Sequence, residues 1–263
     1  MPMRPGPLLA SAIALLGACA TKPPASEPEA RAAFESADDP IEPANRALYG
    51  VSTRVDNAVV KPVARTYGDV VPASIRLHVT YFFRNLGAPR DFVNFVLVGR
   101  PRLAGTALMR FLIDSTLGVG GVFDVASAFG YRRHATDLGL TLGFWDVPMG
   151  PYLYIPLLGP SDVRDAASAV GDVAPGPLTF VPGGTALTVT KYSFSSVDAV
   201  DTRERALPTT DEIERTALDP YATARSLYQQ NRQSAIEALR RANRGTVPVW
   251  FPAPRRAPTP GPD

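Results

Sequence analysis

Two histidines, His78 and His134, are the side chains best suited to acid–base catalysis near neutral pH. A histidine that activates a serine or binds zinc usually occurs with a motif such as Gly-x-Ser-x-Gly or His-Glu-x-x-His. The sequence contains neither motif. His78 lies in a stretch with helical spacing of apolar residues, and His134 lies in the basic run YRRH. We therefore expect structural roles for both histidines and predict no enzyme activity, no metal site and no cofactor.

A glycine-rich run, LGVGGVFD, is the second candidate for chemistry; it places Gly118, Gly120 and Gly121 before Asp124. Glycine-rich loops can bind phosphate through their backbone N–H groups. This run has no P-loop lysine and lacks the full dinucleotide-binding spacing. Its glycines predict a sharp turn or a close approach of two backbones, because glycine has no Cβ.

Cys19 is the only cysteine, so the chain cannot form an intramolecular disulfide or a cysteine-based zinc site. It follows Arg4 and an apolar run that is too short to span a membrane, which is the layout of a secretory signal. The residues LGAC ending at Cys19 resemble the lipobox of bacterial lipoproteins, in which the chain is cut before the cysteine and its thiol is acylated. We predict a signal peptide over residues 1–18 and lipidation at Cys19. Ala20 at the next position resembles lipoproteins that are sent to the outer membrane.

Composition and proline placement define the remaining boundaries. The formal net charge of +2 argues against nucleic-acid binding, which needs a concentrated basic surface. Hydrophobic residues make up 45% of the chain and charged residues 20%, which fits neither an acidic disordered chain nor a multi-span membrane protein. Prolines are concentrated at both ends. We predict a lipidated flexible tether over residues 19–37, one domain over 38–244 and a disordered Pro-rich tail over 245–263.

The domain is predicted to be mostly α, built from short amphipathic helices that Gly and Pro interrupt. Apolar residues recur at helical spacing over residues 42–67, with a break expected near Lys61 because Pro62 follows. Further helices are predicted over residues 74–86, 89–98 and 101–117, and after an N-cap at Ser161. The helix over 89–98 is apolar on more than one face, which suits a buried core or a lipid interface.

Several motifs together resemble the MlaA (VacJ) family of outer-membrane phospholipid-trafficking lipoproteins. The resemblance covers about residues 38–232 with the order of motifs preserved. It departs from the usual pattern at Ala44, Ala88, Asp114 and Leu140. The matching runs are DPIEPANR from Asp39, KPVA from Lys61, LGVGGVFD from Leu117, GPY from Gly150, LGPS from Leu158 and DPY from Asp219.

The resemblance implies a ring-like, largely helical domain in the inner, periplasmic leaflet of the bacterial outer membrane. Family members use an amphipathic channel to remove mislocalised phospholipid from the outer leaflet, which maintains lipid asymmetry. The implied partners are the phospholipid, a trimeric porin and a soluble periplasmic lipid carrier. Such passive intermembrane lipid transfer needs no cofactor and no covalent step.

The resemblance also suggests roles for three groups of residues. Gly118, Gly120, Gly121 and Asp124 are expected to form a bend near the channel, with tight helix packing as the alternative. Asn45 and Arg46 are expected to cap or brace the first helix of the ring, with lipid contact as the alternative. A mobile element beside the pore is expected to present the residues Tyr221, Arg225, Tyr228 and Arg232 on one helical face.

Two rival functions use the same anchor and helices. A scaffold lipoprotein would hold porins or other envelope proteins together without moving lipid. An anchored lipase or peptidoglycan hydrolase would need a serine within hydrogen-bonding distance of His78 or His134. An amphipathic passage through the fold favours transport, and a solid core favours a scaffold.

Overall fold

The computed structural model describes residue 20 and residues 22–24, 26–173 and 185–242, most of which are helical. Cys19, the predicted signal peptide and the predicted tail lie outside these residues. None of the helices in this part of the chain has the length and hydropathy that a membrane crossing requires. The elements in chain order are α1 (Pro28–Ala37), α2 (Glu42–Val55), a π-helical turn (Asp56–Val60), α3 (Lys61–Val70), α4 (Ala73–Leu97), α5 (Pro101–Thr116), α6 (Val125–Ala128), α7 (Leu138–Phe144), β1 (Tyr152–Ile155), β2 (Gly159–Asp162), α8 (Val163–Val173), α9 (Thr185–Thr216) and α10 (Pro220–Arg241).

The prediction of two helices on either side of Gly87 is wrong, because α4 is continuous and contains Pro89 in its interior. A proline inside a helix removes one hydrogen bond and costs about 3 kcal/mol. Helix α4 packs along α5 and also contacts α7 and α9. We attribute its continuity to this packing, which outweighs the local preference to stop. The domain is mostly α as predicted, but α4, α9 and α10 have 25, 32 and 22 residues and are longer than the short helices expected.

The interruption expected near Lys61 takes the form of a π-helical turn over Asp56–Val60. Pro62 directly follows the turn, and because proline has no N–H the continuous helical path lacks one hydrogen bond at this point. Asp56 in the turn forms a bidentate ion pair with Arg203 of α9, with N–O distances of 2.8 and 2.6 Å. The turn therefore connects α2 and α3 without a break in the helical path and fixes them to α9.

The segment predicted as a flexible tether contains helix α1 (Pro28–Ala37) and folds back on the domain, so the prediction is wrong for this part. The backbone N–H of Ala20 donates to the carbonyl of Pro40 at 2.7 Å. Lys22 and Glu35 form an ion pair at 2.8 Å. These contacts hold residue 20 beside the start of α2.

Strands β1 and β2 form an antiparallel hairpin, with Tyr152 opposite Asp162 and Ile155 opposite Gly159. The aromatic run YLYI after Pro151 is thus an extended strand. The carboxylate of Asp162 accepts from the N–H of Asp165 at 2.7 Å, so Asp162 caps α8. The predicted N-cap, Ser161, is one residue too early, and its hydroxyl contacts the carbonyl of Asp162 instead.

The interior is unusually polar and the exterior unusually apolar. The hydrophobic core is small and consists of Phe95, Val98, Ala104, Ala107 and Leu239. Among the described residues, buried polar or charged side chains outnumber buried hydrophobic ones. Water-soluble domains bury their large apolar residues and keep charged residues outside. Much of the apolar surface of this chain faces outward, including the α2–α3 stripe, which consists of Leu48, Val51, Val55, Val59 and Val63.

Candidate functional site

One face of α10 lies against a group of carboxylates from distant parts of the chain. Its side chains are spaced four, three and four residues apart, so they share a helical face as the sequence predicted. They are Tyr221, Arg225, Tyr228 and Arg232. Five carboxylates lie opposite them. Asp39 lies before α2, Glu42 starts α2 and Asp137 precedes α7, whereas Asp162 and Asp165 lie at the β2–α8 junction.

Asp39 is the buried carboxylate at the N-terminal end of this face. Arg225 Nη1 donates to it at 2.8 Å, and the hydroxyl of Tyr221 also donates to it. Burial raises the pKa of Tyr221, and the neighbouring carboxylate raises it further by disfavouring a second negative charge. Arg46 lies over the Tyr221 ring at 4.5 Å and pairs with Asp219 at 2.6 Å. The start of α10 is thereby fixed to α2.

Tyr228 and Arg232 hold the C-terminal part of the same face. The Tyr228 hydroxyl lies 3.0 Å from an oxygen of Asp162 and 2.6 Å from one of Asp165. Arg232 donates two hydrogen bonds to Asp137, at 2.7 and 2.8 Å. Burial by itself would raise the pKa of Asp137, but the Arg232 guanidinium holds that pKa below its ordinary value. This part of the site is therefore held by charge-assisted bonds. A mobile role for α10 stays a prediction.

Asn45 braces α2 from within the helix rather than capping it, because α2 begins at Glu42. Its side-chain amide donates to Asp39 Oδ1 at 2.7 Å and to the Tyr152 carbonyl at 3.0 Å. Its carbonyl oxygen accepts from the N–H of Tyr154 at 3.0 Å. A single buried side chain thus connects α2, the preceding segment and β1.

The glycine-rich run forms a tight turn between α5 and α6. Gly120 and Gly121 have φ values of +70° and +93°, which glycine adopts without steric cost. A Cβ at Gly121 would lie 2.4 Å from Cβ of Asn85, so the turn contacts α4 directly. At Gly118 the obstacles to a Cβ are backbone atoms of its own segment. The run is therefore a bend that also packs against a helix, and its position near a channel stays a prediction.

Asp124 ends the turn and joins it to α5. It accepts from the N–H of Ser127 at 3.1 Å and pairs with Arg110 at 2.9 Å. Arg110 also lies 3.4 Å from Asp114. Burial raises the pKa of Asp124, yet its bonds to Ser127 and Arg110 lower that pKa below the ordinary value. Asp124 is thus an ionised cap with a buried counter-ion.

A small cavity lies between α4 and α5 beside this turn. Its volume is about 20 Å³, enough for roughly one water molecule. Burial raises the pKa of Asp91 in its wall to about 6, and Arg90, the N–H of Thr136 and Arg133 oppose this rise. The other ionisable groups in the wall are Arg84, Arg110, Asp114, Asp124, Arg133 and His134. The wall of this cavity therefore carries charges of both signs.

A larger cavity of about 350 Å³ lies between α10 and the β-hairpin. Asp38, Tyr152, Asp162 and Tyr228 line it together with Gln229, Gln230 and Gln233. We call it the hairpin cavity. Sequence analysis missed its acidic residues, although Asp38 directly precedes the conspicuous run DPIEPANR.

Both histidines have structural surroundings. His78 Nδ1 lies 2.9 Å from the carbonyl of Val122, and its ring packs on Phe123. Burial lowers the pKa of His134, and Arg110 and Arg132 lower it further. Within the described residues, His78 thus pairs with a backbone carbonyl. The same residues contain no group of three or more His, Cys, Asp or Glu arranged to hold a metal ion.

Comparison with known proteins identifies the family. The model of the MlaA lipoprotein family matches residues 37–235. The "Intermembrane phospholipid transport system lipoprotein MlaA" of Escherichia coli is 34% identical over 200 residues, which are 73% of this chain and 76% of that protein. The protein of the same name from Haemophilus influenzae is 33% identical over 231 residues, covering 87% and 88% of the two chains.

A solved structure described as "Structural basis for maintenance of bacterial outer membrane lipid asymmetry" has a similar fold, with a TM-score of 0.66 and 29% identity. The similarity covers 75% of this chain and 98% of the other. The family match covers most of the chain and agrees with the motifs over residues 38–232. The chain belongs to the MlaA lipoprotein family.

Proposed function

We propose that this chain is an outer-membrane lipoprotein that removes mislocalised phospholipid from the outer leaflet and passes it to a soluble periplasmic carrier. The relatives named for intermembrane phospholipid transport, and the similar structure described for outer-membrane lipid asymmetry, support this assignment. The lipid moves through an amphipathic channel enclosed by a ring of helices. A trimeric porin holds the ring in the membrane.

The distribution of polar and apolar residues is the observation that carries the proposal. Apolar side chains along α2, α3, α4 and α5 face outward, while charged and amide side chains are buried. Burying apolar surface contributes about 25 cal/mol per Å², so an outward apolar face needs a partner that removes it from water. Acyl chains supply that partner without requiring the helices to span the bilayer.

The anchor places the chain in the inner leaflet. Acylation at Cys19 adds about 0.8 kcal/mol of membrane affinity for each buried methylene group, and two chains give stable attachment. The hydrogen bond between Ala20 and Pro40 keeps the residue after the anchor beside the start of α2. The α2–α3 stripe begins in the same helix, so the anchor and the apolar surface are held near the same leaflet.

Passive passage is the mechanism that suits the chemistry of these residues. Polar interior side chains match a phospholipid headgroup, and the outward apolar faces of the helices match its acyl chains. The ion pairs that join α10 to Asp39, Asp137 and Asp165 keep the polar interior in a fixed arrangement. The direction of transfer is set by the carrier and not by this chain.

A deletion strain tests the proposal. Loss of the gene should increase outer-leaflet phospholipid, measured with an amine-reactive reagent that does not cross the membrane. The wild-type chain should reverse the increase, whereas Cys19→Ser should not. If the wild-type chain binds the porin but deletion of its gene leaves outer-leaflet phospholipid unchanged, the chain is a scaffold and the proposal is wrong.

A further inference from the structure

Two arginines with unused hydrogen-bond donors lie at the small cavity between α4 and α5, which we call the α4–α5 cavity. Arg84 of α4 and Arg133 of the segment before α7 both line it, and both are exposed to solvent. Within the described residues Arg84 has no ion pair and no hydrogen bond. The carboxylate that faces Arg133 there is Asp91, at 3.9 Å, which is too far for a hydrogen bond. Both guanidiniums are therefore accessible to a ligand.

The acidic groups of the α4–α5 cavity are already paired with other arginines. Asp124 and Asp114 lie 2.9 and 3.4 Å from Arg110. Asp91 lies 3.6 Å from Arg90, closer than it lies to Arg133. Arg84 and Arg133 are thus left without a close counter-ion in this part of the chain.

The positive charges around Arg133 repel one another. Burial lowers the pKa of Arg133, Asp91 opposes this, and the neighbouring Arg84, Arg110 and Arg90 lower it further. A guanidinium stays protonated at physiological pH, so the repulsion is not relieved by loss of a proton. A bound anion would relieve it.

The shape of the two side chains and their surroundings indicate which anion fits. A guanidinium is a planar fork of N–H donors that matches two oxygens of a phosphate group. The α4–α5 cavity has room for only about one water molecule, so the anion would lie at its mouth, where both arginines meet solvent. The same two helices carry exposed apolar side chains, including Leu77 of α4 and Leu108 and Leu112 of α5. A phosphate that is attached to acyl chains matches both features.

We propose that Arg84 and Arg133 bind the phosphodiester of a phospholipid at the mouth of the α4–α5 cavity. Assigning the phosphodiester to a lipid rests on the proposed function, whereas the preference for a phosphate anion rests on the two guanidiniums. Both contacts are to the phosphate, so the site accepts phospholipids that differ in the substituent of the headgroup.

Titration calorimetry on the purified full chain in an uncharged detergent tests the site. The probes are dihexanoylphosphatidylcholine, dihexanoylglycerol, which lacks the phosphate, and inorganic phosphate, each corrected for titration into detergent alone. We expect the phospholipid to bind about tenfold more tightly than each of the other two. Equal affinity for dihexanoylglycerol would overturn phosphate recognition. Equal affinity for inorganic phosphate would overturn the assignment to a lipid.

Two variants locate the binding at this cavity. Arg84→Gln and Arg133→Gln each remove one guanidinium and should weaken phospholipid binding about fivefold, with dihexanoylglycerol binding unchanged. Arg54→Gln is the matched control, because Arg54 is exposed on α2 and does not line the cavity. The melting temperature of all three variants should equal that of the wild type, which shows that lost binding is not lost folding. Wild-type phospholipid affinity in Arg84→Gln or in Arg133→Gln would overturn the proposal.

A substitution with the opposite expected effect tests the electrostatic argument. Asp91→Asn removes the carboxylate that lies 3.9 Å from Arg133, and it should tighten phospholipid binding roughly threefold. Weaker binding in Asp91→Asn would mean that Asp91 holds Arg133 as its own counter-ion, which contradicts the site.

The deletion strain separates failure of this site from failure of the proposed function. If the wild-type chain restores lipid asymmetry but Arg84→Gln and Arg133→Gln bind phospholipid normally, the phosphate site is wrong and the proposed function stands. If deletion leaves outer-leaflet phospholipid unchanged but both variants lose phospholipid binding, the site stands and the proposed function is wrong.

Discussion

Gly120 and Gly121 are adjacent and both have positive φ, but only Gly121 lies against another helix. Gly120→Ala introduces left-handed backbone strain in open space, which we expect to cost about 1 kcal/mol. Gly121→Ala adds an overlap with Asn85, and we expect it to lower the unfolding free energy by about 3 kcal/mol in total. Denaturant unfolding of the two variants in detergent measures the difference. Equal losses would mean that the turn does not depend on its contact with α4.

Asp91 makes the stability of the fold depend on pH in a specific direction. Its pKa is raised to about 6 in the folded state, mainly by burial, against about 3.9 in an unfolded chain. Between these values the folded state holds a proton that the unfolded state has released. The contribution of Asp91 to stability therefore declines as pH rises from about 4 to 6, by about 3 kcal/mol in total.

Asp91→Asn should remove this dependence, because the amide does not titrate. We expect the unfolding free energy of the variant to rise relative to wild type between pH 4 and pH 7. Denaturant unfolding at several pH values measures it, with Asp69→Asn as the exposed control. Parallel profiles for wild type and Asp91→Asn would show that the carboxylate is ionised throughout this range.

At the scale of elements, α10 is fixed by the pairing of its arginines. Arg232 is mostly buried between Asp137 and Asp165. Arg232→Met would leave Asp137 without its counter-ion and Asp165 with Arg164 alone, and breaking a buried pair costs about 3–5 kcal/mol. We expect a loss of unfolding free energy of this size and faster proteolysis within α10.

Arg241→Met is the control on the same helix. Arg241 is largely exposed, and its ion pair within the described residues is with Glu237, one turn away, at 3.6 Å. An exposed pair of this kind contributes about 0.5 kcal/mol or less. Similar losses in both variants would show that the pairing of Arg232 does not hold α10 in place.

The whole molecule combines an apolar surface with a polar interior, and its affinity for membranes depends on that surface. Replacing Val51, Val55 and Val59 by Asn removes three outward apolar side chains from the α2–α3 stripe. Each valine contributes about 1 kcal/mol when partly buried in lipid, so the triple change should weaken vesicle binding about 100-fold. Vesicle flotation of the Cys19→Ser form measures this affinity without the lipid anchor.

A matched triple change distinguishes this stripe from general hydrophobicity. Val197, Leu218 and Leu227 are also exposed, but they are spread over α9, the turn after it and α10. Their replacement by Asn should weaken vesicle binding less than tenfold. Equal losses would mean that the α2–α3 stripe is not the preferred lipid-facing surface.

Local patterns made several properties predictable. Helical spacing over residues 42–67 and 101–117 indicates helices because a helix places every third or fourth residue on one face. The same spacing predicts the shared face of Tyr221, Arg225, Tyr228 and Arg232. The order of short motifs identifies the family, which the match over residues 37–235 confirms. The lipobox at Cys19 stays a prediction from sequence.

Tertiary structure decided what these residues contact. Asn45 reaches Tyr152, Arg46 reaches Asp219 and Arg225 reaches Asp39 across more than a hundred positions of sequence. No local pattern specifies such pairs, because each depends on how separate helices pack. Packing between separate segments also keeps α4 continuous through Pro89 and holds the predicted tether beside Pro40. Sequence by itself determined that the chain is mostly helical and which family it belongs to, and it predicts the anchor. Only the packed chain decided that α4 is continuous, that charges lie inside and that apolar faces lie outside, because these depend on contacts between distant segments.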